Sequence, residues 1–314
     1  KFTLAEVKCV RLSLHMAILD SIEPRKYPEP ASMLRLIKPI TWFPPMWAYT
    51  CGLIASGAAA SGQWGYIVLG ILLAGPIVCG MSQAANDWCD RHVDAINEPD
   101  RPIPSGRIPG RWGLWIALVM SFLSLAVGSM LGPWGLGATI LGVVAAWAYS
   151  AEPVRMKKSG WSGPGLVGLS YETLPWITGA AVLSADAPSW QTITIAVLYG
   201  IGAHGIMTLN DFKALEGDRQ MGLRSLPVTL GPDRAARVAC WIMAIPQIAV
   251  ITLLILWNKP LHGVVILAVL ALQIAAMRKL LRNPLANTPW YQGSGITLYV
   301  SGMMIAAFAL RGLQ

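Results

Sequence analysis

The chain is short of charge. Asp, Glu, Lys and Arg make up 13% of its 314 residues, whereas soluble domains carry about 25%. Hydrophobic residues account for 54% of the chain. A surface facing water cannot be covered with so few charges, so the composition excludes an ordinary soluble domain. It predicts a protein whose outer surface contacts lipid tails.

Paired cysteines are also lacking. The five cysteines lie at positions 9, 51, 79, 89 and 240. None of them has the CxxC spacing of a zinc site or a small disulfide framework, so neither is predicted. Residues 1–30 are polar and mixed, without the apolar segment and cleavage motif of a signal peptide.

What the chain does contain is a series of long apolar segments. A membrane-spanning helix needs about 20 mostly apolar residues. Nine segments qualify, near residues 40–60, 65–86, 112–132, 134–150, 163–183, 190–210, 235–257, 261–280 and 294–311. The sequence therefore predicts an all-α, polytopic bundle of nine transmembrane helices over residues 34–314, preceded by a cytoplasmic segment at residues 1–33.

The basic residues follow this topology. All Lys and Arg except Lys259 and Arg311 precede the first span or lie in loops that follow even-numbered spans. The positive-inside rule places these segments in the cytoplasm and, with nine spans, the C-terminus on the opposite side. No basic stripe lies beside stacking aromatics, so nucleic acid is not an expected partner.

An acidic cluster lies at the end of the second span. If the helix continues, Asp87 and Asp94 lie above one another and Asp90 lies on the same face, next to the Asn86 amide. Carboxylates so placed repel each other unless a cation lies between them, and ionisable groups at membrane depth usually mark function. The alternative is a solvated loop whose acids balance nearby arginines.

A second acidic cluster follows the sixth span. Asp211 and Asp218 are seven residues apart and share a helical face. Glu216 points away on an unbroken helix, unless Gly217 ends the helix and brings it round.

Two acidic faces at the same side of a membrane are typical of a metal–diphosphate site. Mg²⁺ prefers oxygen ligands and binds through a few carboxylates together with phosphate oxygens. We therefore expect Mg²⁺ as cofactor, and Asp87, Asp94 and Asp211 as the residues on which catalysis depends. Candidates for contact with the diphosphate are Tyr149, Arg155, Lys157, Arg101 and Arg107. Each basic residue among them could instead be a cytoplasmic charge that only sets the orientation of the protein in the membrane.

The motifs resemble those of the UbiA superfamily of intramembrane prenyltransferases. The pattern NDxxDxxxD is present intact at residues 86–94. In the second motif Asp211, Glu216 and Asp218 match, but Ala214 stands where many relatives have Asp, which leaves the second ligand set open. A Tyr followed by basic residues, as at 149–157, also recurs in the family.

Within the superfamily, residues 86–106 and 210–219 resemble the chlorophyll synthase branch, and Cys89 and His92 resemble its members in purple phototrophic bacteria. The resemblance extends from about Leu34 to the C-terminus. It implies esterification of the bacteriochlorophyllide propionate with geranylgeranyl or phytyl diphosphate, in a bacterial photosynthetic inner membrane. Pigment-pathway or photosystem-assembly proteins are conceivable partners that the sequence does not identify.

Two polar residues within the spans are candidates for acceptor binding. His204 lies seven residues before Asp211; its imidazole could ligate the magnesium of a chlorin, or it could be a hydrogen-bonded core histidine. Glu172 could pair with a basic residue or help to place the acceptor. Other functions left open are a prenyltransferase acting on haem or a quinone precursor, a transporter, and a pigment-binding scaffold.

Overall fold

The computed structural model describes residues 26–184 and 186–313, and the regular secondary structure of this part of the chain is all helical, with no strand. Residues 1–25 of the predicted cytoplasmic segment lie outside the described residues. The predicted boundary between residues 33 and 34 falls inside the first helix, so the division into two segments stays a prediction. The helices are α1 (Pro30–Leu36), α2 (Phe43–Ala55), α3 (Trp64–Leu72 and Gly80–Asn97), α4 (Trp112–Met130), α5 (Gly132–Ser150), α6 (Ser162–Gly168 and Leu174–Ser184), α7 (Trp190–Asn210), α8 (Leu215–Gln220), α9 (Leu226–Leu230), α10 (Pro232–Leu256), α11 (Pro260–Leu280) and α12 (Pro284–Arg311).

Two of these helices contain a wider, π-helical turn. In α3 it is Leu73–Cys79, which includes Pro76, and in α6 it is Leu169–Thr173. Proline has no N–H to donate to the helical ladder, which disfavours regular α geometry around Pro76. Such turns are frequent at functional sites.

The multi-pass membrane architecture is confirmed, whereas the number of spans stays a prediction. Six helical stretches of the described chain are long and apolar enough to cross a bilayer. They are Trp64–Ile96, Trp112–Met130, Trp190–Gln220, Pro232–Leu256, Pro260–Leu280 and Pro284–Arg311.

Two helices extend beyond their predicted boundaries. α3 continues to Asn97 and carries the first acidic cluster on a regular helix. α12 begins at Pro284, ten residues before the predicted start, because the Asn283 side chain accepts a hydrogen bond from the Ala286 N–H and caps the helix. Hydropathy missed this polar first part of α12.

Apolar packing holds the bundle together in two main cores. A large core joins α2, α7, α10, α11 and α12, and a smaller one joins α1, α3, α4 and α5. α2 meets α6 with backbone against backbone: a Cβ on Gly52 would lie 2.0 Å from the Trp176 carbonyl oxygen, and one on Gly179 would lie 2.2 Å from the Tyr49 carbonyl oxygen. Small residues at such crossings let membrane helices approach closely.

Candidate functional site

The first acidic cluster lies at the end of α3, where basic side chains from two other segments reach it. Asp87 and Asp94 are buried. Lys38 Nζ lies 2.7 Å from Asp87 Oδ1, and Arg101 Nη1 lies 2.9 Å from Asp94 Oδ2 and 3.3 Å from Asp87 Oδ1. The carboxylates predicted to share a helical face are thus joined by cations from before α2 and from the loop after α3.

Asp90 is held from the other side, by the loop that follows α5. Arg155 Nη2 donates to Asp90 Oδ1 at 3.0 Å, and Lys157 pairs with Asp90 Oδ2. Two predicted diphosphate-binding residues therefore contact a predicted metal ligand directly.

Two of these cations occupy an unfavourable backbone conformation. Lys38 has φ of 45° and Arg155 has φ of 34°, both in the left-handed region. Such conformations cost about 1–3 kcal/mol for a residue with a side chain and persist only where the surroundings fix them. Here the strained residues are ones that bring a positive charge to Asp87 and Asp90.

The charges in these loops alter each other's protonation. Burial alone would lower the pKa of Arg101, but its hydrogen bonds to Glu98 and the charges of Asp87 and Asp94 raise the pKa above its usual range. Burial lowers the pKa of Lys157, and the neighbouring Asp90 carboxylate opposes this shift. The Arg101 guanidinium is therefore a permanent positive charge at the site.

The second acidic cluster is brought to the first by Tyr149 and by a backbone contact. Tyr149 is half-buried at the end of α5, within electrostatic range of Asp211, Asp90 and Asp218. The loops after α5 and α8 run beside each other: Gly160 N–H donates to the Arg224 carbonyl at 2.8 Å, and Arg224 N–H donates to the Lys158 carbonyl at 3.0 Å. The loop that carries Lys157 is thereby tied to the segment that follows Asp218.

Of the remaining predicted metal ligands, the structure places some beside the cluster and leaves one outside it. Asn86 Nδ2 lies 3.4 Å from the Ser150 hydroxyl, beside the cluster. Glu216 does not join it, because α8 continues through Gly217 and leaves the Glu216 side chain 70% exposed, paired with Arg219 at 3.4 Å. Glu216 is therefore far less suited to hold a metal than Asp218, which is buried.

The donor atoms at the end of α3 fit a magnesium ion. Among the described residues, no three His, Cys, Asp or Glu side chains are already grouped at metal-ligand spacing, since the three aspartates are turned to cations. Asp87 Oδ2, however, is buried and has no hydrogen-bond partner. A carboxylate oxygen of this kind is the hard donor that Mg²⁺ prefers.

A cavity of about 520 Å³ opens beside Asp87. It is lined by Arg35, Lys38, Asp87, Glu98, Pro99, Asp100, Arg101, Pro102 and Arg107. The Arg107 side chain donates to the Asp100 carbonyl, and neither Arg35 nor Arg107 forms an ion pair within the described chain. Two predicted diphosphate-binding residues, Arg101 and Arg107, thus face an electropositive cavity next to the carboxylates.

Below the aspartates, a polar group ties α3 to α6. The Tyr171 hydroxyl, in the π-helical turn of α6, accepts a hydrogen bond from Gln83 Nε2 at 3.0 Å and lies 3.2 Å from the Ser82 hydroxyl. Gln83 lies one helical turn before Asp87, so this contact also fixes the orientation of the α3 face that carries Asp87.

Of the two acceptor candidates, Glu172 lies in the π-helical turn of α6. It is buried, and no basic residue of the described chain pairs with it, so of its two predicted roles the ion pair is not formed. His204 is buried against Trp161, whose ring centroid lies 5.4 Å from that of the imidazole.

Sequence reasoning missed Lys38, Arg35 and Tyr171. The sequence predicts Lys38 and Arg35 only as cytoplasmic charges that set the membrane topology. Their position among the basic residues before the first span is the one feature that could have indicated a role in the site. Nothing in the sequence marks Tyr171, because its partners are 88 and 89 residues away.

The chain is similar to known proteins over most of its length. The UbiA prenyltransferase family matches residues 43–304. The Bacteriochlorophyll synthase 33 kDa chain of Cereibacter sphaeroides is 67% identical over 299 residues, which cover 95% of this chain and 99% of the relative. The chloroplastic Chlorophyll synthase of Arabidopsis thaliana is 35% identical over 291 residues, covering 88% of this chain and 73% of the relative.

Among solved structures, a UbiA homolog from Archaeoglobus fulgidus bound to DMAPP and Mg²⁺ superposes with a TM-score of 0.65 at 20% identity. The superposition covers 90% of this chain and 100% of that chain. At this identity the likeness establishes the fold alone.

Proposed function

The chain belongs to the UbiA prenyltransferase family, and on that premise we propose that it esterifies the propionate of bacteriochlorophyllide a with a geranylgeranyl or phytyl group from the corresponding diphosphate. The observation that carries the proposal is the set of three aspartates on α3, each in contact with a basic side chain. The acceptor follows from the name of the relative that is 67% identical over almost its whole length.

Asn86, Asp87, Asp90, Asp94, Asp211 and Asp218 are proposed to hold the metal, which we take to be Mg²⁺. The bound ion would neutralise negative charge on the diphosphate and so favour its departure. The homolog structure bound to DMAPP and Mg²⁺ supports the choice of metal. The exposed Glu216 is the weakest member of the predicted ligand set.

The basic side chains are proposed to bind the diphosphate. Arg101, Arg155 and Lys157 already lie against the aspartates, and Tyr149 lies between the two clusters. Guanidinium groups bind phosphate oxygens in pairs, whereas lysine acts as a point charge. Arg107 and Lys38 add positive charge from the cavity beside Asp87 and would hold the donor in one orientation.

The bond change requires little proton chemistry from the protein. The bond between the allylic carbon and the diphosphate oxygen breaks, diphosphate leaves with the electron pair, and a propionate oxygen forms the new ester bond to that carbon. A propionic acid titrates near Glu, at about 4.3, so it arrives ionised and needs no general base. The task of the site is to bind, orient and exclude water.

We further propose that the N-terminus and the loops of the site face the cytoplasm, and that the protein lies in the photosynthetic inner membrane of a bacterium. The one-sided distribution of Lys and Arg supports the orientation. Membership of a prenyltransferase family favours an enzyme over a transporter or a pigment scaffold.

The test is product formation by the purified protein, given bacteriochlorophyllide a, geranylgeranyl diphosphate and Mg²⁺. We expect an esterified pigment and released diphosphate, both lost when EDTA removes the metal. Haem and a quinone precursor serve as competing acceptors in parallel reactions. Diphosphate release with one of these, and no pigment ester, would contradict the proposed acceptor while retaining the site.

A further inference from the structure

We propose that Tyr171 is a positioning residue, whose hydroxyl holds both members of the Lys38–Asp87 ion pair in place. The inference rests on the proposed function, since Asp87 matters there as a ligand of the metal. Tyr171 itself is hydrogen-bonded to none of the described aspartates, so it acts through the side chains that surround its hydroxyl.

The Tyr171 hydroxyl gathers three polar side chains of α3. Gln83 Nε2 donates to it at 3.0 Å, the Ser82 hydroxyl lies at 3.2 Å and Cys79 Sγ lies at 3.3 Å. The Ser82 proton is already used, because this hydroxyl donates to the Cys79 carbonyl oxygen at 2.7 Å. Ser82 therefore accepts from Tyr171 while Gln83 donates to it, so a phenylalanine in this position would remove a donor and an acceptor together.

These three partners lie where α3 changes its geometry. The π-helical turn of α3 ends at Cys79, and the regular helix begins at Gly80. A π-helical turn closes its hydrogen bonds one residue later than an α-helical turn, and each residue of a helix turns the following face by about 100°. If this turn changed to regular α geometry, the face that carries Asp87 would rotate. Contacts from one hydroxyl to both sides of the junction oppose that change.

The first path from Tyr171 leads along α3 to Asp87. Gln83 lies four residues before Asp87 on the regular helix, so the two side chains share one face, about 6 Å apart along the helix axis. The bond between Tyr171 and Gln83 joins this face to the π-helical turn of α6, which contains Tyr171. It therefore holds the Asp87 carboxylate in a fixed direction relative to α6.

The second path leads through Cys79 to Lys38. Cys79 Sγ lies 3.4 Å from the Thr41 hydroxyl and 3.3 Å from the Thr41 carbonyl oxygen. Thr41 donates twice to the Lys38 carbonyl oxygen, from its hydroxyl at 2.8 Å and from its N–H at 2.9 Å. These bonds close the 3₁₀ turn Pro39–Thr41 directly after Lys38, whose φ is 45°. A left-handed conformation persists only where the surroundings fix it, and Thr41, held by Cys79, supplies that restraint.

The two paths meet at the ion pair. Lys38 Nζ lies 2.7 Å from Asp87 Oδ1, so one path ends on the carboxylate and the other on its cation. A tyrosine that only packs within the bundle would need no such connection. Tyr49 is of this second kind: it is 1% exposed, and the hydrogen bond of its hydroxyl within the described chain is to the Tyr66 carbonyl oxygen, at 3.4 Å.

The test measures binding of metal and diphosphate without turnover. Wild-type protein, Tyr171→Phe and the control Tyr49→Phe are each titrated calorimetrically with an equimolar mixture of Mg²⁺ and inorganic pyrophosphate, and their melting is recorded. Side chains that orient metal ligands contribute about 10–100-fold to metal affinity, so Tyr171→Phe should bind the mixture about tenfold more weakly. Tyr49→Phe should bind it as the wild type does, although it removes the hydroxyl of the more deeply buried tyrosine. A merely structural role would lower the melting temperature of both variants and the affinity of neither.

Variants along each path show whether Tyr171 acts through them. Gln83→Leu and Thr41→Val should each weaken binding of the same mixture, whereas Thr41→Ser keeps the hydroxyl and should keep wild-type affinity. Tyr171→Phe combined with Gln83→Leu should lose less than the product of the two single losses, because both changes break one bond. These variants also decide the question should Tyr171→Phe fail to fold.

Wild-type affinity in Tyr171→Phe, an equal loss in Tyr49→Phe, or fully multiplicative losses with Gln83→Leu would overturn the positioning role. Absence of binding by the wild-type protein would contradict the metal site itself, and this inference with it. The acceptor is decided separately, by ester formation in the wild-type protein. The titration contains neither acceptor nor prenyl group, so a protein that binds Mg²⁺ and pyrophosphate but forms no pigment ester would contradict only the proposed acceptor.

Discussion

Replacing Asp87 by Asn should nearly abolish turnover while leaving the protein folded. The Asp87 side chain is 2% exposed and pairs with Lys38 at 2.7 Å and with Arg101 at 3.3 Å. The amide keeps the shape but loses the charge, and with it both the metal ligand and the partner of two cations. Removing one group that stabilises reacting charge typically costs about 10²–10³ in kcat.

The structural cost of this change should be modest. Lys38 and Arg101 are 26% and 25% exposed, so water screens part of the charge that Asp87→Asn leaves unpaired. Breaking a fully buried pair costs about 3–5 kcal/mol and an exposed one about 0–1 kcal/mol, which places this change near 1–3 kcal/mol. Native domains are stable by about 5–15 kcal/mol, so the variant should still fold.

The assay is diphosphate release by the purified variant across a magnesium titration, with thermal unfolding measured on the same preparation. Glu98→Gln is the matched control, because Glu98 also binds Arg101, with Nη2 at 2.7 Å from Oε1, but is 57% exposed. It should lose less than about threefold in turnover. Wild-type turnover by Asp87→Asn at modest magnesium, or an equal loss in both variants, would refute the assignment of Asp87 to the metal.

Three further changes test other parts of the site and the fold. Lys157→Gln should raise KM for the prenyl diphosphate by about tenfold, with a smaller change in kcat, since a binding charge is removed; steady-state kinetics at saturating acceptor measures this. Asp218→Asn should lower turnover at least about tenfold, whereas Glu216→Gln, whose side chain is 70% exposed, should change it less than about twofold; equal losses would return Glu216 to the ligand set. Gly52→Val should abolish the folded protein in size-exclusion and melting assays, because its Cβ would lie 2.0 Å from a carbonyl oxygen of α6, whereas Gly65→Ala meets no atom within 4 Å and should melt as the wild type does.

The sequence predicts the acidic part of the site well, because its information is local. Helical periodicity places Asp87, Asp90 and Asp94 on one face, and α3 does continue through them. The same reasoning places Glu216 on the far side of α8 unless Gly217 breaks the helix, and the helix is unbroken.

The sequence predicts the basic part of the site less well, because the basic residues are distant along the chain from the aspartates that they contact. Lys38 reaches Asp87 across 49 residues, and Lys157 reaches Asp90 across 67. Both contacts depend on loop backbone, and at Lys38 the loop adopts a left-handed conformation that no propensity favours. The start of α12 is likewise set by the Asn283 cap, which hydropathy does not detect.

The acidic cluster and the basic loops act as one unit. Three carboxylates in a membrane protein would repel each other and lose the solvation that water provides. Each is instead matched by a cation within hydrogen-bond distance: Lys38, Arg101, Arg155 and Lys157 against Asp87, Asp90 and Asp94. The charges that stabilise the carboxylates in the free chain are the same ones that a diphosphate would require. A metal that takes over the carboxylates would therefore release these side chains to the substrate at the point where it binds. The left-handed backbone at Lys38 and Arg155 is a cost the fold sustains to keep both sets of charges within reach of one another.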